Sequence, residues 1–168
     1  MSMLFAFRDL FMNPTDILKE AGVKPGYRVL DYGCGPGSYS IAAARMVTDT
    51  GTVHSLDIHP LALEYISKKA RNKNISNIKT INSDCATGLS DESIDIILLY
   101  DILHDLSRPQ EILTELHRVL KPEGVLSISD HHLKDDVIKA TVTDPGLFSL
   151  IKRGEKVYNF NKIPTAGK

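Results

Sequence analysis

At 168 residues the chain has room for one hydrophobic core and little besides, since single domains run to about 100–200 residues. Hydrophobic residues are 42% and charged residues 24%, with 20 Lys plus Arg against 21 Asp plus Glu and a formal net charge of -1; this balance excludes a disordered, fibrous or disulfide-framed chain and gives no overall pull toward nucleic acid or anionic membrane. Two cysteines, Cys34 and Cys85, are too few for a disulfide framework or a cysteine-based zinc site, which predicts a reducing, cytoplasmic setting.

The opening MSMLFAFRDLFMNP is apolar but carries Arg8 and Asp9 within its apolar stretch and lacks a small-residue cleavage site, so it reads as mature protein and not as a leader. Its Phe5, Phe7, Leu10, Phe11 and Met12 would expose much apolar surface unless covered. Residues 1–13 are therefore expected to form a lid over the substrate site, to pack on the core, or to meet a second copy in a homodimer. No stretch approaches the roughly 20 apolar residues that span a bilayer, so membrane insertion is not expected.

Asn13 before Pro14 predicts a capped helix through about Ala21, stopped by Gly22. Residues 27–31 read as a buried strand running into Gly33, Gly35 and Gly37, followed by a helix over 38–47 and a strand over 52–58. Pro60 opens another helix, whose polar end carries Lys68, Lys69, Arg71 and Lys73 and reads as a solvated face. Residues 78–82 and 94–100 follow as strands, the second apolar on both faces as in a parallel sheet covered on both sides. Ser107 and Gln110 have capping-box spacing. The helix they introduce carries Ile112, Leu113, Leu116, Val119 and Leu120 on one stripe, with Pro122 and Gly124 as its stop. A strand over 125–129, a helix over 135–142 and a hairpin of 147–152 with 156–163 complete the chain. This alternation predicts an open, mostly parallel α/β sheet with an antiparallel edge, in one domain without repeats or linkers.

Ligands of such sheets bind beyond the carboxyl ends of the strands, which directs attention to the first strand-to-helix turn, VLDYGCGPG. A dinucleotide fingerprint requires G-x-G-x-x-G, but counting from Gly33 the third position is Ser38, which disfavours a nicotinamide-dependent oxidoreductase. Asp31 at the strand end would repel a pyrophosphate and attract a cation, and this suits a ligand carrying an ammonium group. Asp57 stands 20 residues past Gly37, at the end of the second strand, where an acceptor can take both hydroxyls of a ribose. Asp84, with Cys85 and Ala86 beside it, closes the third strand, where backbone and side chain can read a base edge.

These residues resemble the class I S-adenosylmethionine-dependent methyltransferases. VLDYGCGPG is similar to the first motif of that family, and SLDIHP, NSDCATGL, IDIILLYDILHDL and ELHRVLKPEGVLSIS follow in the family's order over residues 14–163. The likeness is strongest to the small-molecule branch that includes the quinone-biosynthesis C-methyltransferases. It implies a Rossmann-like, doubly wound sheet of seven strands in the order 3-2-1-4-5-7-6, strand 7 antiparallel, with S-adenosylmethionine as cofactor and S-adenosylhomocysteine as product. Carried over by motif, Asp31, Gly33, Gly35 and Gly37 belong to the cofactor turn, with the first three near the methionine moiety. Asp57 would hold the ribose, Ile58 would pack on adenine, Asp84 would face its amino group and Cys85 or Ala86 its ring nitrogen. Tyr100 would present its backbone near the cofactor amino group.

Methyl transfer from a sulfonium needs alignment and water exclusion, and a base only where the nucleophile must lose a proton. Candidates for that base follow the fourth and fifth strands: Asp101, His104 and Asp105, then Asp130, His131 and His132. His131 and His132 are adjacent, so in an extended chain at most one faces the crevice. No metal is expected, since nothing in the spacing of these groups demands one. An Asn/Asp-Pro-Pro-aromatic run is missing after the fourth strand and no cysteine follows the fourth or fifth, which disfavours nucleobase amines and the covalent route to cytosine C5. The expected activity is therefore methyl transfer to a small molecule, with a non-catalytic cofactor-binding subunit as the alternative.

Overall fold

The computed structural model describes residues 13–166. The expected lid or dimer segment lies outside these residues except for Asn13. Helix α1 (Pro14–Ala21) begins as its sequence dictates, with the Asn13 side chain accepting from the Thr15 N–H at 3.0 Å and Gly22 closing it at φ 90°. Then follow β1 (Arg28–Tyr32), α2 (Ser38–Val47), β2 (Thr52–Asp57), α3 (Pro60–Asn72), β3 (Ile78–Asn82) and β4 (Ile94–Tyr100). The chain continues through a short 3-10 turn (Leu103–Asp105), α4 (Pro109–Val119), β5 (Leu120–Ser129), α5 (Asp135–Thr143), β6 (Phe148–Arg153) and β7 (Tyr158–Lys162).

The seven strands form one sheet in the order β3-β2-β1-β4-β5-β7-β6. All neighbours are parallel except β7, which runs antiparallel to β5 and β6. Period-two alternation divides the core. Val29, Val53, Ile96 and Leu98 pack against Ile17, Leu18, Ala43 and Val47 of α1 and α2 on one face. Leu30, Leu56, Ile97, Leu99 and Ile128 pack against α4 and α5 on the other. Between β3 and β4 no helix forms; Glu115 and Arg118 of α4 pin the connection instead, accepting from the Thr87 N–H and hydroxyl and donating to Asp91 and the Leu89 carbonyl.

Two local expectations are corrected. The capping box does not form: Arg108 occupies the N-cap of α4 with no side-chain cap, because Pro109 already supplies the first helical position. Pro122 and Gly124 do not stop that helix. It ends at Val119, and Leu120 already pairs with Ile94 as the start of a longer β5, with a register shift that accommodates the segment before Val125.

Candidate active site

The glycine turn is fastened to β2. The Gly33 and Cys34 N–H groups both donate to the Leu56 carbonyl, at 2.8 and 3.0 Å, and the Gly35 N–H donates to the Asp57 carboxylate at 2.9 Å. The other Asp57 oxygen accepts from the His59 N–H at 2.9 Å. The three glycines have φ of +72°, +50° and +82°, but their missing side chains serve different ends. A Cβ on Gly37 would meet Ile66 at 2.5 Å and one on Gly33 would meet Ile102 at 2.8 Å, whereas one on Gly35 would meet nothing within 4 Å. Gly37 and Gly33 thus permit close packing, and Gly35 leaves backbone open to a ligand.

Asp31 is 3% exposed and accepts from the Ser40 hydroxyl at 2.6 Å, which in turn accepts from Ser55 at 2.7 Å. Burial pushes its carboxyl up to about 6 against the opposing pull of the Ser40 hydrogen bond, and the Asp57 charge adds to the rise. A positive ligand group beside it would relieve that cost. Asp57 is also buried, while Ile58, the next residue, is 57% exposed. Apolar surface therefore lies open directly beside the carboxylate assigned to ribose.

The remaining cofactor candidates differ in setting. Asp84 lies two residues beyond β3 and its exposed carboxylate accepts from Arg108 at 2.8 Å, while its carbonyl accepts from the Tyr32 hydroxyl at 3.0 Å. Cys85 is partly buried, its N–H donating to Ser83, and Ala86 is exposed. The Tyr100 side chain points into the core, hydrogen bonded to Ser127 at 2.8 Å and edge-on to Tyr39 at 4.8 Å, so only its backbone is disposed toward the strand end. Burial pushes the Cys34 thiol and the Tyr100 phenol well above their ordinary values.

The residues after β4 and β5 form two crossed histidine–carboxylate pairs. Asp101 accepts from both the backbone N–H and the ring Nδ1 of His131, at 2.9 and 2.8 Å. Asp130 accepts from the backbone N–H of His104 at 3.0 Å, from its Nδ1 at 2.9 Å and from the N–H of His132 at 2.9 Å. The His104 and His132 rings lie 4.2 Å apart. His131 and His132 have different partners, Asp101 and the His104 ring, and lie in a turn and not in an extended strand.

The methyltransferase-domain family model matches residues 23–163. The chain belongs to the methyltransferase-domain family, in the S-adenosylmethionine-dependent class resembled by its motifs. A demethylmenaquinone methyltransferase of Lactobacillus johnsonii is 34% identical over 66% of this chain and 46% of its own length. A ubiquinone/menaquinone biosynthesis C-methyltransferase of Paraburkholderia phytofirmans is 28% identical over 90% of this chain and 57% of its own. This methyltransferase-family chain thus spans about half the length of the curated relatives it matches. A solved S-adenosylmethionine-dependent methyltransferase from Aquifex aeolicus superimposes with a TM-score of 0.81 at 25% identity, covering 92% of this chain and 91% of that one.

Four partners in the site escaped the sequence reading. Ser40 donates to Asp31 and Ser55 donates to Ser40, a buried relay; the Asp31–Ser55 register of β1 with β2 would have exposed the second of them. Arg108 and Ile102 are single residues in loops, with no periodic signal to mark them.

Proposed function

We propose that this chain binds S-adenosylmethionine across the glycine turn and transfers its methyl group to a small hydroxy-aromatic acceptor of the quinone class. The observation that carries the reading is the arrangement around Gly35: open backbone, with the Asp57 carboxylate fastened beside it by two N–H groups and exposed Ile58 next in sequence. Each Asp57 oxygen keeps a second lone pair for a ribose hydroxyl. Buried Asp31 supplies the counter-charge for an ammonium group, and Asp84 and the 85–86 backbone border the space left for adenine. The residues thus fit the cofactor. When bound, it supplies an electrophilic methyl group on a sulfonium.

The acceptor class rests on the quinone-biosynthesis names of the relatives, and chemistry narrows it. A quinone ring is electron-poor, so the form that can attack an electrophilic methyl is the reduced quinol. Residues 14–163 are read as one methyl-transfer domain, with a small-molecule partner, no nucleic-acid partner and a cytoplasmic location in keeping with two free thiols; no helix among the described residues is long and apolar enough to cross a membrane. Incubation with methyl-labelled S-adenosylmethionine and a short-chain demethylmenaquinol should place label in the quinol. Cofactor binding without transfer to any hydroxy-aromatic would instead favour a non-catalytic binding subunit.

A further inference from the structure

We infer that His131, held by Asp101, is the general base that ionises the acceptor hydroxyl, an inference that rests on the methyl-transfer reading above. The parallel register of β4 with β5 sets Tyr100 opposite Ser129, so the residues that leave the two strands emerge side by side. The Asp101 N–H donates back to the Ser129 carbonyl at 2.7 Å, and Asp101 takes a φ of 52°. That left-handed state is uncommon for a residue with a side chain, although aspartate and asparagine tolerate it best. It occurs here at the strand end that borders the crevice, where such backbone states gather in functional sites.

The carboxylate grips His131 twice through one oxygen, at the backbone and at Nδ1. A carboxylate on Nδ1 fixes the proton on that nitrogen and leaves the lone pair on Nε2. The Asp101 side chain is 9% exposed and the His131 side chain 47%, so the dyad is anchored at one end and reaches out at the other. The loop that carries Asp101 is tied to the glycine turn through Ile102, whose side chain lies against the vacant Cβ position of Gly33. The segment that begins at Asp101 therefore packs on the cofactor turn itself.

The second pair is built for another purpose. Asp130, whose side chain is fully buried, binds backbone N–H groups of two residues, 104 and 132, and the His104 ring lies tilted against that of His132. It clamps the two loops together, and of the two carboxylate-held rings His131 is the more accessible, its side chain 47% exposed against 28% for His104.

In the step assigned to the dyad, the acceptor O–H proton passes to His131 Nε2 and the bonding pair stays on the acceptor as a phenolate. The ring carbon ortho to that oxygen takes the methyl group as the carbon–sulfur bond breaks with its pair left on sulfur. The ring then loses the hydrogen of that carbon to water as a proton and regains aromaticity as a phenolate, to which the imidazolium returns its proton, so that one proton leaves in all.

The test uses reduced short-chain demethylmenaquinone as acceptor and S-adenosylhomocysteine for binding. His131→Ala should lower kcat by about 100-fold or more, within the range for loss of a general base, with KM and S-adenosylhomocysteine affinity nearly unchanged and activity partly restored by added imidazole. Asp101→Asn, which suits the same backbone state, should lower kcat less. In the wild-type protein, nitrogen-15 NMR should find His131 as the Nδ1–H tautomer, a readout that needs no turnover and stands even where a variant fails to fold. A retained kcat in His131→Ala, a loss that imidazole does not rescue, or an Nε2–H tautomer in the wild type each overturns the assignment. Absence of transfer by the wild type would instead overturn the methyl-transfer reading, and the base with it.

Discussion

At the ends of β1 and β2 each carboxylate is buried and fastened to donors of its own half of the sheet: Asp31 to Ser40, and Asp57 to the Gly35 and His59 N–H groups. At the ends of β4 and β5 the carboxylates instead reach across to the neighbouring loop, and their histidine partners are partly exposed. The first arrangement is fixed before any ligand arrives, as suits a cofactor of one shape. In the second, anchored carboxylates hold side chains that still reach solvent, as suits proton transfer to an acceptor. The boundary between the halves is the contact of Ile102 with Gly33.

The largest effect should come from testing the rigidity of the first half. Gly37→Ala would drive a Cβ into fully buried Ile66 at 2.5 Å with φ at +82°, and should lower unfolding free energy by about 3 kcal/mol in urea titrations. Gly35→Ala meets open space; it should cost only about 1 kcal/mol of stability, from backbone strain, while weakening S-adenosylhomocysteine binding at least about tenfold, or about 1.4 kcal/mol. Equal losses of stability in the two variants would erase the distinction drawn between a packing glycine and a ligand glycine.

Asp57→Ala should weaken S-adenosylhomocysteine by about 1–3 kcal/mol in calorimetry, the cost of losing a charged acceptor. Asp31 gives the same half a pH signature. With its carboxyl raised from 3.8 to about 6, it is increasingly protonated below pH 6 and loses its attraction for an ammonium group. Affinity should therefore fall as pH drops through 6, approaching about tenfold per unit, and Asp31→Asn should flatten this dependence. The sign for stability of the free protein is opposite: the folded state holds the proton more tightly, so Asp31 costs progressively more stability as pH rises from 3.8 through 6, and the cost is complete above that.

The smallest effect should be at Arg108, whose ion pairs with Asp84 and Glu111 are exposed. Arg108→Ala should change stability by less than about 1 kcal/mol. A larger loss in thermal unfolding would mean that the Asp84 side of the crevice is braced as firmly as the Asp57 side.

The difference between the halves also explains what could be read from the sequence. Strand and helix positions and the glycine turn were legible because buried strands and helix caps leave local signatures, as at Asn13, Gly22 and the β4 run IDIILLY, whereas the strand order came from the family resemblance of the motifs. Local spacing misled at Ser107 and Gln110, where proline at the first helical position overrode the box, and at Pro122, which sits within an extended strand. Asp31 and Asp57 were found because strand ends carry ligands. Asp101, His104, His131 and His132 were named as a group, but their pairing was not legible, since it depends on two loops about 30 residues apart meeting across β4 and β5.

The most direct test of the central claim is a calorimetric titration of the wild-type protein with S-adenosylhomocysteine and, separately, with NAD. Saturable one-to-one binding of S-adenosylhomocysteine that Asp57→Ala weakens, with no comparable NAD binding, is the predicted result. Tight binding of NAD, or no binding of S-adenosylhomocysteine, would contradict the assignment of the glycine turn.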